Sequence, residues 1–203
     1  MDKKHFLPNF DKTSSKAYTP LGIRNLLVKA VKGKGGSIQG ILDDKHHNKN
    51  LIELYYAGFL ALAIKKWLQR EYVLYPAESP DIYFLDQKVG EAFPVEIMEL
   101  YFYNQTFDGN YKRLAEHVFL KKGNMDFSRS HLLIVSRIKV TQLNISEFCR
   151  EIQKFKWNFE RIWFEIYTAK DQQWMFFEIY PKAEFNDRNH ISFSVKDDKD
   201  ILY

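Results

Sequence analysis

Apolar and polar positions alternate between two periods along this chain. After Asn48 and Asn50, either of which can cap a helix, Tyr56, Ala57, Leu60, Ile64 and Trp67 recur at helical spacing and predict a long helix to about Arg70. Three short apolar runs follow, Tyr72–Tyr75, Asp81–Leu85 and Phe93–Tyr103, separated by turn-like Pro76–Pro80 and Asp86–Glu91; these are read as strands. Asp108-Gly109-Asn110 opens a second helix to about Lys122, and His131–Val140 is a strongly apolar strand. A helix capped by Asn144 or Ser146 then runs to about Trp157, and strands near Arg161–Thr168, Trp174–Tyr180 and Ile191–Val195 close the chain.

Upstream, Thr19-Pro20 reads as an N-cap with proline at the first helical position, starting a short helix from Leu21 to Val31. Residues 1–19 lack a period and contain Pro8 and Ser14-Ser15, so they are expected to form an extended arm, with 20–203 as one domain. Short links suit antiparallel pairing, and a helical crossover suits a parallel pair with helices on both faces. The expected class is therefore α/β, with a mixed sheet extended by the C-terminal strands.

Composition narrows the classes. Of 203 residues, 45% are hydrophobic and 28% charged, which suits a folded domain, and an aromatic share of 16% suits a sheet-rich core. No apolar stretch approaches the roughly 18 residues needed to span a bilayer. The start, Met1-Asp2-Lys3-Lys4-His5, lacks a secretory apolar segment, so no membrane association and a cytoplasmic location are expected. Cys149 is the one cysteine, which excludes an internal disulfide framework and a cysteine-based zinc cluster.

Charge is segregated. Residues 1–50 hold ten Lys/Arg and four Asp/Glu, 51–107 hold four and eight, and 108–156 hold ten and five. An acidic segment between basic flanks is what a metal-using phosphodiesterase needs, although solvated surface charge gives the same pattern. The loop Lys32-Gly33-Lys34-Gly35-Gly36-Ser37 is not a P-loop, because no Gly-Lys-Ser/Thr follows its glycines. It reads as a hinge, or as a basic loop whose Lys32 and Lys34 approach phosphates.

Two carboxylates interrupt apolar strands. Asp81 begins Asp81-Ile82-Tyr83-Phe84-Leu85, and Glu96 sits within Phe93-Pro94-Val95-Glu96-Ile97-Met98-Glu99-Leu100. Alternation places Pro94, Glu96, Met98 and Leu100 on one face, where an ionised Glu96 costs several kcal/mol unless it is compensated. Adjacent strands would let both acids converge on a hard cation such as Mg²⁺. Glu53 lies on the apolar stripe of the long helix, as a third acid of that site or as a first-turn residue favoured by the helix dipole.

Pro80-Asp81 followed by Glu96 resembles the PD-(D/E)XK superfamily of restriction-endonuclease-like nucleases. The resemblance spans about residues 48–140 and implies an αβββαβ core. It implies Mg²⁺-dependent (or Mn²⁺-dependent) hydrolysis of phosphodiester bonds, in DNA before RNA, by a protein that is often a homodimer. Asp81 and Glu96 would hold the metal, with Glu53 directly or through water. The family's lysine falls at Met98, which cannot act as an ammonium does. Three readings follow: a lysine from the following helix, for which Lys112 is the candidate; Glu99 turned inward by a bulge; or a silent member that binds nucleic acid or a protein partner. Arg113 is a candidate phosphate grip. His131 is read as a strand-end histidine or a neighbour of the site, and Trp163, Phe164, Trp174, Phe176 and Phe177 as core or as base-stacking platforms.

Overall fold

The computed structural model describes residues 16–33, 45–100, 107–125, 129–137, 143–168, 173–181 and 190–194. Helix α1 spans Pro20–Gly33 and α2 spans Lys45–Leu68. Strands β1 (Tyr72–Pro76), β2 (Ile82–Asp86) and β3 (Ala92–Leu100) follow. Next come α3 (Tyr111–Lys122), β4 (His131–Ser136) and α4 (Ile145–Ile152). The described residues end with β5 (Arg161–Thr168), β6 (Gln173–Tyr180) and β7 (His190–Ser194). The class is α/β, a mixed sheet flanked by helices.

All seven strands form one sheet in sequence order. Strands β1–β2–β3 and β5–β6–β7 pair antiparallel, while α3 and α4 cross over to make β3, β4 and β5 parallel. Period-2 alternation then sorts the apolar side chains into two cores. Val95, Ile97, Leu133, Val135, Trp163 and Phe176 meet α1 and α2 on one face. Met98, Leu132, Ile134, Phe164 and Ile179 meet α3 and α4 on the other.

Local sequence explains the helix ends. Thr19 Oγ1 accepts from Gly22 N at 3.1 Å and Pro20 takes the first helical position, as expected of this pair. Helix α1 lies close to α2 because Gly58 has no side chain, and a Cβ there would stand 3.3 Å from Ile23 Cδ1. Asn110 and Asn144 cap α3 and α4 through Arg113 N and Glu147 N.

Three boundaries differ from expectation. Helix α2 begins at Lys45, ahead of both asparagines. Trp67 at its far end is half exposed, its ring meeting Trp163 edge-on at 5.8 Å. Helix α4 stops at Ile152, where Trp157 Nε1 donates to the Ile152 carbonyl at 2.9 Å. That bond turns the chain back and brings Phe155 and Trp157 onto Phe119. Of the expected arm, residues 1–15 lie outside the described residues, and Tyr18 pairs with Leu74 of β1 through two backbone bonds of 2.8 Å. Among the described residues no helix is long and apolar enough to cross a membrane.

Candidate functional site

The antiparallel register of β2 and β3 pairs Ile82 with Val95, so one further step sets Asp81 opposite Glu96. Asp81 and Tyr83 share a face, as do Glu96 and Met98, so both acids lie on the α3 side of the sheet. Both are buried. Asp81 Oδ2 accepts from Ile97 N at 2.8 Å, which fixes the carboxyl against β3. The two carboxyls are close enough for Asp81 to raise the Glu96 carboxyl.

Glu53 arrives from α2. The helix leads directly into β1 and runs against it, so its first turns lie level with the end of β1 and the start of β2, where Asp81 sits. Lys49 Nζ bridges the two acids, 3.3 Å from Glu53 Oε1 and 3.7 Å from Asp81 Oδ1. Burial raises the Glu53 carboxyl to about 7, the charge of Asp81 adds to the rise, and Lys49 opposes it. Glu53 in turn raises the Lys49 ammonium.

The lysine that answers Glu96 is Lys122, with Nζ 2.6 Å from Oε2. Burial still raises the Glu96 carboxyl, opposed by the Lys122 hydrogen bond and reinforced by Asp81. Lys112 does not take this part. Its side chain is 74% exposed and faces Glu116 at 3.9 Å. The reason is topological: a parallel crossover makes α3 run against the strands, so its C-terminal end returns level with the start of β4, and His131 there pairs with Val95. Lys112 is ten residues earlier, about 15 Å along the helix.

Other candidates fall elsewhere. Met98 is buried in the core beneath α3 and α4, beside Ile134 of β4. No bulge interrupts β3, and Glu99 keeps to the α2 face, where Arg137 Nε lies 4.0 Å away and Tyr56 stands near enough to feel both charges. Arg113 is exposed at the start of α3, its Nη1 3.5 Å from Asp108, at the opposite end of the helix from the acids. Lys32 is exposed in the last turn of α1, and Lys34 lies outside the described residues. His131 is buried, accepts from Trp163 Nε1 at 3.3 Å, and is driven down to about 3 chiefly by burial. Trp163, Phe164, Trp174, Phe176 and Phe177 are all buried, so they pack the core and offer no stacking platform.

The sequence reading missed Lys49 and Lys122. Signals for both were present: a Lys–Glu pair four residues apart at the start of α2, and the rule that the end of a crossover helix meets the start of the next parallel strand.

The acids supply oxygen donors only, which suits a hard cation. Among the described residues no three His, Cys, Asp or Glu side chains close into a metal-holding group. Asp81 and Glu96 are the two of these carboxylates that share one face of the sheet, whereas Glu53 reaches Asp81 through the Lys49 ammonium. No family model, curated protein or solved structure matches this chain.

Proposed function

We propose that this chain is a metal-dependent phosphodiesterase of restriction-endonuclease-like fold, acting on DNA. The observation that carries the reading is the convergence of Asp81 and Glu96 from neighbouring strands with the Lys122 ammonium against Glu96. The element order from α2 to β4, αβββαβ, supports it.

Asp81 and Glu96 would hold Mg²⁺ or Mn²⁺. When bound, the cation supplies Lewis-acid neutralisation of phosphate charge and lowers the pKa of a water. Asp81 is pinned by Ile97 N, so it presents its second oxygen, Oδ1, toward the open side where Lys49 sits. Glu96 is steadied by Lys122, and that ammonium fills the part Met98 cannot, placing positive charge beside the acids where an attacking oxygen and a phosphate would meet. Lys49 has an exposed stem and can leave the acids for a phosphate oxygen. Cutting both strands of a duplex would call for a second copy of the chain.

A silent, binding-only member is the second reading, favoured by the two lysines that already answer all three acids. Plasmid cleavage in Mg²⁺ and Mn²⁺ separates them. The nuclease reading expects cleavage that falls at least a hundredfold in D81A, E96A and K122A, each still folded by circular dichroism. No cleavage of duplex DNA, single strands or RNA in either metal rejects it.

A further inference from the structure

We propose that Glu165 is a proton-held latch beneath α2: the helix stays seated on the sheet while this carboxyl keeps its proton, and loosens when the proton is lost. The inference is independent of the nuclease reading, since it concerns a different strand and the opposite face of the sheet.

Glu165 sits in the middle of β5 and has no solvent exposure. Among the described residues neither carboxyl oxygen has a hydrogen-bond partner. The sheet register sets Val135 on one side of it and Phe176 on the other. Trp163 and Tyr167, two residues away in each direction, share its face. From above, α2 closes the site: Tyr55 meets Trp174 edge-on at 5.7 Å, and Phe59 stacks on Trp174 at 4.3 Å.

Among the described residues, the ionisable groups around it offer no compensating charge. From α2, Tyr55 lies near enough to feel a charge on Glu165, and from β5 itself Tyr167 shares the same face. Farther along this face, Glu99 of β3 and Arg137 at the end of β4 are engaged with each other and lie near Tyr56. The β6 neighbour is Phe176. An ionised carboxylate here would be buried without donors, so the neutral acid is the form that fits beneath the helix. Burial accordingly holds the carboxyl well above its ordinary range.

The direction of the pH effect follows. The unfolded chain loses this proton near the ordinary carboxyl value, while the folded chain keeps it. The stabilising contribution is complete below that value and is lost progressively as pH rises toward the folded-state value, by about tenfold in the folding equilibrium constant per pH unit. Helix α2 is the lid over the group, so it is the element expected to open.

The test compares wild type with E165Q, which keeps the shape and removes the titration. Denaturant unfolding from pH 5 upward should show the E165Q advantage growing with pH, by up to about tenfold per pH unit. Hydrogen exchange of α2 amides, corrected for intrinsic rates, should show opening that rises more steeply with pH in wild type than in E165Q, which keeps only the contribution of Glu53. A constant ratio of the two equilibrium constants at every pH overturns the proposal, as does identical α2 opening in the two proteins. Should E165Q not fold, E165L enters the same comparison, since the surroundings are apolar.

Discussion

Glu96 and Glu165 are both buried glutamates on the parallel strands of one sheet, and they have been handled in opposite ways. Glu96 faces α3 and receives an ammonium from Lys122 at 2.6 Å. Glu165 faces α2 and receives nothing among the described residues. The same backbone thus holds one acid whose charge is answered and one that remains neutral. Only the first stands beside a second acid, Asp81, with cations in reach, and only such a place can do charge chemistry. Burial of a carboxyl alone does not mark a site. Burial together with converging opposite charges does.

The largest expected effect comes from making the first acid resemble the second. Lys122→Ala strands Glu96 at 2% exposure beside Asp81. Removing one partner of a buried pair costs about 3–5 kcal/mol, which denaturant unfolding at pH 7 would register. The loss should shrink as pH falls and Glu96 gains a proton, and Lys122→Ala with Glu96→Gln should recover most of it. A loss under about 1 kcal/mol at pH 7 would mean that the pair is a surface contact and that the two glutamates are not the opposites drawn above.

Glu53 lies between the two extremes, largely buried but bridged by Lys49. Its carboxyl stands at about 7 in the folded protein, mainly through burial. A raised folded value means that stability is complete below about pH 4.5 and is lost as pH climbs to about 7. In chelator, Glu53→Gln should therefore gain about 1–3 kcal/mol over wild type across that window and no more above it. A plateau near 7 separates Glu53 from Glu165, whose slope arises from complete burial with no lysine beside it among the described residues. Parallel stability curves for wild type and Glu53→Gln would remove the distinction.

Much of this arrangement is written in local patterns. The strand order from Tyr72 to Leu100 follows from short apolar runs and turn-forming links, and Asp81 and Glu96 stand out because each breaks an apolar run. Their facing each other is a consequence of register, which a tight hairpin largely fixes. Lys122 was harder to see because the lysine that meets Glu96 lies 26 residues away, and its position depends on the length and direction of a crossover helix. Met98 misled for a related reason: occupying the expected lysine position in sequence, it belongs to the α3 core, so the ammonium has to come from another element. Glu165 was invisible, since the aromatic run around it reads as an ordinary strand and says nothing of what α2 places above it.

The smallest expected effect falls on the lysine that sequence alone favours. Lys112 is 74% exposed and its nearest acid, Glu116, stands 3.9 Å away one turn along the same helix. Such pairs contribute about 0.3–0.5 kcal/mol, because water screens the charges and two long side chains must be ordered. Lys112→Ala should therefore change stability by less than about 0.5 kcal/mol and leave metal-dependent cleavage within about twofold, a change of under about 0.5 kcal/mol in the barrier. Both lysines lie on α3, so helix propensity and net charge change alike in the two alanine variants, and the difference isolates position. If Lys112→Ala abolished cleavage while Lys122→Ala spared it, the cation beside Glu96 would be structural only, and the chemistry would have to be sought at the N-terminal end of α3.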